Sequence, residues 1–269
     1  MIKDTLKLLT IGNSYSDDMM QYVYHIAANL DVKNIVLGNL FIGGCPIDRH
    51  ADNAQHDTPD YEYRFNDSGT WQNTPAFRLG DALRSQEWDL ISMQQASAGS
   101  GFPESYARLP ELAAYVRQTV GDHPTFLWHM TWAYPQTSDS GAFARYGNDQ
   151  LTMYRKITET VQSCILPSGL FSAVVPSGTA IQNARTSFVG DTLNRDNVHL
   201  TLDLGRYVAG LTMVRTLLAR PLTSLTYRPE GVTEQQMLVA VEAVENAVAN
   251  PFTVTHSVYT ENEPKGDQS

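Results

Sequence analysis

A serine, an aspartate and a histidine stand where acyl-transfer chemistry could use them. Ser14 closes Gly12-Asn13-Ser14, directly after an apolar run over residues 6–11. Asp196 and His199 lie in Arg195-Asp196-Asn197-Val198-His199-Leu200, just ahead of another apolar segment. A carboxylate three residues before an imidazole can reach its ring across one turn. It then fixes the tautomer and leaves the other nitrogen free as a base. A serine hydroxyl served by such a base attacks ester carbonyls. Gly12 relieves crowding where the strand turns, and N–H groups at the start of the following helix could hold a tetrahedral oxyanion. The segment is not the G-x-S-x-G elbow, because no glycine stands two residues after Ser14. A plainer account exists for the same residues. Ser14 or Ser16 caps a helix whose dipole Asp17 and Asp18 complement, and Asp196 caps another.

The elements that would position these residues follow from periodicity. Short apolar runs at residues 6–11, 34–41, 89–94, 125–130 and 170–175 are bounded by Gly, Pro, Asp or Ser and predict strands. Amphipathic segments at 18–30, 75–85, 104–120, 142–164, near Ala180, 202–219 and 233–250 predict helices. This alternation predicts an α/β chain: a three-layer α/β/α sandwich, flavodoxin-like, around a parallel sheet of about five strands. Ligands of such sheets bind beyond the carboxyl ends of the strands, where Ser14 falls. G-x-G-x-x-G and the P-loop are absent. Residues 44–74 break the rhythm, being polar but punctuated by Tyr61, Tyr63, Phe65 and Trp71. They are expected to form a hairpin or flap over the carboxyl edge of the sheet, with 61–65 as a strand. One domain over 1–259 is expected, with a frayed tail at 260–269.

Composition narrows the partners. The chain has 269 residues, 42% hydrophobic, and a net charge of −10 from 19 basic and 29 acidic residues. No Lys/Arg cluster is present, so no nucleic-acid partner is expected. No run is long enough to span a bilayer, and no signal-like stretch precedes the first strand, so the expectation is a cytoplasmic protein without a membrane partner. Cys45 and Cys164 have no metal-type spacing and are expected as free thiols. His50 and His56 sit among Asp48, Asp52 and Asp57 in no standard ligand pattern, so no metal is expected. His129 reads as a core histidine. Trp132 and Tyr134, after the fourth strand, could stack on a sugar, line an acyl pocket or simply fill the core.

The motifs together resemble the SGNH hydrolases, also called GDSL esterases. Gly12-Asn13-Ser14 resembles their first block and Asp196-x-x-His199 their last, while Gly43 or Gly44 stands where the second block supplies an oxyanion N–H. The spelling is closer to a bacterial branch long known only as a domain of unknown function. That branch has G-N-S-(F/Y), a Q-Q-x-S segment (here Gln94-Gln95-Ala96-Ser97), a T-W-A-Y segment (Thr131-Trp132-Ala133-Tyr134) and R-D-x-x-H-L. One departure is clear: the G-x-N-D of the third block is missing, and Met93-Gln94-Gln95 stands there. Some carbohydrate-esterase members carry Q-G-E at this point, so a glutamine amide could replace the asparagine. Alternation along a strand turns only one of Gln94 and Gln95 to the site. The resemblance implies Ser14 as nucleophile, His199 as base and Asp196 as its orienter. It further implies Gly43 or Gly44 and Gln94 or Gln95 at the oxyanion, and Asn13, Trp132 and Tyr134 near substrate. It implies no cofactor. The substrate it suggests is a small-molecule or oligosaccharide ester carrying an acetyl or other short acyl group. Two other readings remain: a non-catalytic carbohydrate-binding descendant, and a lipid or thioester hydrolase.

Overall fold

The computed structural model describes residues 4–261. Most of the tail expected at 260–269 therefore lies outside the described residues. In chain order the elements are β1 (Thr5–Gly12), α1 (Ser14–Met20), α2 (Val23–Asn29), β2 (Asn34–Phe41), α3 (Ile47–His56), β3 (Tyr61–Asn66), β4 (Gln72–Phe77), α4 (Leu79–Arg84), β5 (Leu90–Met93), α5 (Leu109–Val120), β6 (Thr125–His129), α6 (Gln150–Thr160), β7 (Ala173–Val175), α7 (Ser177–Arg185), α8 (Leu204–Leu218) and α9 (Glu234–Ala249).

β1 is the centre of the sheet, which is why it reads as a nearly continuous apolar run. Leu6, Leu8, Leu9 and Ile11 are all buried, as expected of a strand covered on both faces. β2 and β5 flank it in parallel, with Gly12 opposite Phe41 and Ile11 opposite Met93. β6 and β7 continue the parallel set beyond β5. The five parallel strands run β2-β1-β5-β6-β7, the flavodoxin-like order. One helical layer is built from α1, α2, α7, α8 and α9, and α3, α4 and α5 pack together in the other. All parallel strands point their carboxyl ends to one edge, and the order reverses between β1 and β5. That is where a crevice opens in this architecture.

The sheet has seven strands rather than about five. The extra two come from the polar insertion, and they do not form a flap over the carboxyl edge. β3 pairs antiparallel with β2, and β4 with β3, so the hairpin extends the sheet sideways. The reason is the open edge of β2, whose N–H and C=O groups need partners. Asn66 makes the turn by accepting the Gly69 N–H at 2.8 Å, with Gly69 at φ +89°. β4 is the new edge; it is almost wholly exposed and carries Pro75.

Several helices are shorter than periodicity predicts. The helix expected at 18–30 begins at Ser14 and divides into α1 and α2 near Tyr22. There α8 crosses closely: a Cβ on Gly210 would lie 3.3 Å from the Met19 carbonyl oxygen. The stretch 142–164 is interrupted by Gly147 and Asn148, both at positive φ, so α6 starts only at Gln150. At 75–85 the first residues belong to β4, and at 104–120 a short 3-10 turn precedes α5. Among the described residues no helix is long and apolar enough to cross a membrane.

Candidate active site

Ser14 is the first residue of α1, immediately beyond the carboxyl end of β1. Asn13 caps the helix and organises the turn. Its Oδ1 accepts the Tyr15 N–H at 3.0 Å and Gln94 Nε2 at 2.8 Å, and its Nδ2 donates to the Cys45 carbonyl at 3.0 Å. Asn13 is 1% exposed and so offers no surface for a bound molecule to touch directly. Gly12 must be glycine for space, because a Cβ there would meet Ser16 Oγ at 2.6 Å and Gln94 Cδ at 3.1 Å.

The two serines of the turn differ sharply. Ser16 is buried, with its Oγ 2.8 Å from both the Asn13 carbonyl and Asn39 Oδ1. Ser14 is half-buried, and its Oγ has no hydrogen-bond partner among the described residues. Gly43 and Gly44 form the exposed turn after β2, closed by Cys45 N–H to the Ile42 carbonyl at 3.2 Å. Gly44 needs its positive φ of 63°. The turn abuts the Ser14 turn through the Asn13–Cys45 bond. Burial pushes the Cys45 thiol up to about 12, against the nearby Arg49 charge, so it stays protonated at neutral pH.

The glutamines face opposite ways. Gln94 spans from Asn13 to His129, whose Nδ1 is 2.8 Å from Gln94 Oε1. Because Gln94 Nε2 donates to Asn13, its Oε1 must accept, and His129 carries its proton on Nδ1. Burial pushes His129 down to about 3, so the ring is neutral. The other N–H of the Gln94 amide has no partner among the described residues. Gln95 turns to the other side, where its Nε2 donates to Ser105 O at 2.6 Å and Ser105 Oγ at 3.1 Å. Its Oε1 accepts the Ile47 and Ala96 N–H groups.

The histidine loop lies between Leu193 and α8. Asp196 Oδ1 accepts the Val198 N–H at 2.9 Å and the His199 N–H at 2.7 Å, while Oδ2 is 2.8 Å from His199 Nδ1. One carboxylate thus shapes the turn and orients the ring. Partial burial opposes its ionisation, but the hydrogen bonds from His199 and Val198 prevail and hold it below the usual aspartate value. His199 Nε2 has no hydrogen-bond partner among the described residues. The loop is fixed on two sides. Trp132 donates Nε1 to the Val198 carbonyl at 3.0 Å and stacks on Tyr15 at 4.1 Å, and Tyr15 lies 6.4 Å from the His199 ring between centroids.

The helix of Ser14 thus meets the histidine loop through Tyr15 and Asp18, and among the described residues no hydrogen bond joins Ser14 to His199. Contacts of this type are commonly long in unliganded sites and tighten around substrate. Trp132 and Tyr134 are 0% and 2% exposed, and Tyr134 bonds Ser97 at 2.9 Å. Both rings brace the site and leave no face open to stack on a sugar. Asp191 serves Gln136, Gln150 and Arg185 rather than His199. His50 is buried against Tyr61, and His56 is exposed at the end of α3. Among the described residues no three potential metal ligands gather. Two surface cavities, of about 300 and 390 Å³, lie away from the cluster, beside Phe188 and Leu238 and beside Trp88 and Pro124.

Sequence reasoning missed two supports. Asp18, which the sequence places as a complement to the helix dipole, is completely buried and bonded to the histidine loop. Arg185 was not singled out. It is 8% exposed and joins the Ala133 carbonyl at 3.0 Å to Asn194 Oδ1 at 2.8 Å, tying the Trp132 segment to the histidine loop. Only the long-range fold reveals either role.

Comparison with known proteins places this arrangement in a family. Residues 7–247 match the model of the family described as "Domain of unknown function (DUF4886)". A crystal structure of a DUF4886 family protein from Bacteroides uniformis is similar over 96% of this chain and 100% of that one, with 39% identity and a TM-score of 0.92. A catalytic mutant of an acetylxylan esterase from Geobacillus stearothermophilus aligns over 85% of this chain and 100% of that one. Its 14% identity and TM-score of 0.48 are too low to bear on activity or substrate here. No curated protein matches the sequence.

Proposed function

The chain belongs to the DUF4886 family, and on that premise we propose that it is a serine esterase of the SGNH type. The observation that carries the reading is the Asp196–His199 pair. Asp196 Oδ2 stands 2.8 Å from His199 Nδ1, and its other oxygen is pinned by two backbone N–H groups. Such a pair presents Nε2 as a base with a fixed tautomer. Ser14, with its Oγ uncommitted, is the nucleophile rather than Ser16.

Ser14 Oγ attacks the ester carbonyl carbon while His199 Nε2 takes its proton. The carbonyl oxygen, now negative, accepts hydrogen bonds from the N–H of Ser14, the N–H of Gly43 or Gly44, and the free N–H of Gln94. His199 returns the proton to the departing alcohol, leaving an acyl-enzyme. Water, deprotonated by the same imidazole, releases the acid and restores Ser14. Asp196 stabilises the transient imidazolium and does not itself take the proton. The mechanism calls for no cofactor. A short acyl ester of a carbohydrate is the substrate the family resemblance suggests, and the chain-length series below decides between it and a long apolar chain.

Hydrolysis of an acetylated xylo-oligosaccharide and of 4-nitrophenyl esters of increasing chain length tests this. Acetyl release by the wild type, loss of about 10³-fold or more in Ser14→Ala with an unchanged melting temperature, and decline with chain length are expected. Preference for long acyl chains would instead indicate a lipid or thioester hydrolase. Sugar binding without turnover would indicate a non-catalytic descendant.

A further inference from the structure

Asp18 lies one helical turn beyond Ser14 on α1, and the residue is 0% exposed. Its Oδ2 accepts the Leu200 N–H at 2.8 Å. Its Oδ1 accepts Arg195 Nη1 at 3.0 Å and Arg206 Nε at 2.8 Å. Arg195 directly precedes Asp196, and Leu200 directly follows His199. One carboxylate on the helix of Ser14 thus grips both ends of the segment that carries Asp196 and His199. Arg195 also donates to the Leu200 carbonyl, which closes the loop on itself. Arg206 belongs to α8, so α1, the loop and α8 meet at the Asp18 carboxylate, and Arg206 also reaches Asp17 Oδ2 at 3.5 Å.

Burying a carboxylate is expensive, and well-packed apolar residues often join two elements at no loss of stability. What an apolar side chain cannot do is accept the Leu200 N–H and hold two guanidinium groups in register. Residues i and i+4 share a helix face, so Asp18 fixes the loop to the side of α1 that bears Ser14.

We infer that Asp18 is a positioning residue that sets the separation of Ser14 and His199. This rests on the reading of those two residues as nucleophile and base. Asp18 touches neither substrate nor the reacting atoms; it acts through α1 and the histidine loop. Misplacement of a catalytic group by about 1 Å can cost on the order of 10²-fold in rate.

The test compares wild type, Asp18→Asn and Arg195→Gln in 4-nitrophenyl acetate hydrolysis, fluorophosphonate labelling and thermal melting by circular dichroism. Asp18→Asn keeps the shape and an acceptor for Leu200 but removes the buried negative charge between Arg195 and Arg206, which keep only Asp196 at 3.9 Å and Asp17 at 3.5 Å. It is expected to melt as a folded protein with kcat and the labelling rate lowered together by about 10- to 100-fold, while KM changes less than about twofold. Arg195→Gln releases one end of the loop and keeps the Asp18–Arg206 pair. A loss of about tenfold in kcat alone is expected, and this variant decides the matter if Asp18→Asn fails to fold. A lower melting temperature with kcat intact in the folded variants would overturn the inference, since Asp18 would then be structural only. A wild-type protein inert to both ester and probe would overturn the Ser14–His199 reading and this inference with it.

Discussion

Asn13 shows how much of the site is decided by one buried amide. It caps the helix that begins with Ser14, holds the turn of Gly43 and Gly44 through the Cys45 carbonyl, and receives Gln94. Gln94 is in turn oriented by His129. The two glutamines, equivalent in sequence, therefore have unequal predicted effects. Gln94→Ala removes the proposed oxyanion donor and is expected to lower kcat by about 10²–10³-fold. Gln95→Ala removes bonds to Ser105 and Ile47 and is expected to lower the melting temperature with kcat little changed. Steady-state kinetics and melting curves of the two variants check this; equal, mild effects on kcat would mean that neither amide meets the intermediate. The candidates Ser14, Asp196 and His199 each stand at a local signal, a strand end with glycine or an Asp-x-x-His turn, and the contact this turn predicts between Asp196 and His199 is present. The choice between the glutamines was not legible, because β5 ends at Met93 and both lie beyond the strand's regular alternation. Asp18 was hidden by a sufficient local explanation.

At the scale of elements, strands were read better than helices. The second strand was predicted at 34–41 and is found over Asn34–Phe41, since its apolar run is bounded by turn residues. Helices were drawn too long where periodicity continued through a break made by backbone conformation, as at Gly147 and Asn148. α3 was overlooked inside the polar insertion, although Ile47, Ala51 and Ala54 are spaced to bury one helical face. The alternation of Tyr61 and Tyr63 correctly indicated a strand, with both buried and Glu62 between them less so. Its destination was not written locally. Pairing with β2 depends on β2 having an open edge, a property of the assembled sheet.

Over the whole molecule, stability should fall with acid in a way that buried histidines dictate. Burial pushes His129 down to about 3, and burial, aided by Arg49, does the same to His50. An unfolded chain protonates both near the ordinary value of about 6.5. Below that pH the unfolded state binds more protons than the folded one, so stability is full above about 6.5 and declines as pH falls toward 3. The decline approaches about 1.4 kcal/mol per pH unit for each histidine. Urea midpoints at pH 7 and pH 5 should therefore differ, and His50→Gln should reduce that difference by about half. A midpoint independent of pH in this range would show that these rings are not held neutral by the fold.

In the proposed reaction Ser14, served by His199, becomes covalently bonded to the acyl group. The most direct test of this proposal is mass-spectrometric mapping of the protein after reaction with a fluorophosphonate. The expected result is a single adduct on Ser14, absent from Ser14→Ala and formed far more slowly in His199→Ala. An adduct on Ser16 or elsewhere, or ester hydrolysis that continues with Ser14 unmodified, would contradict it.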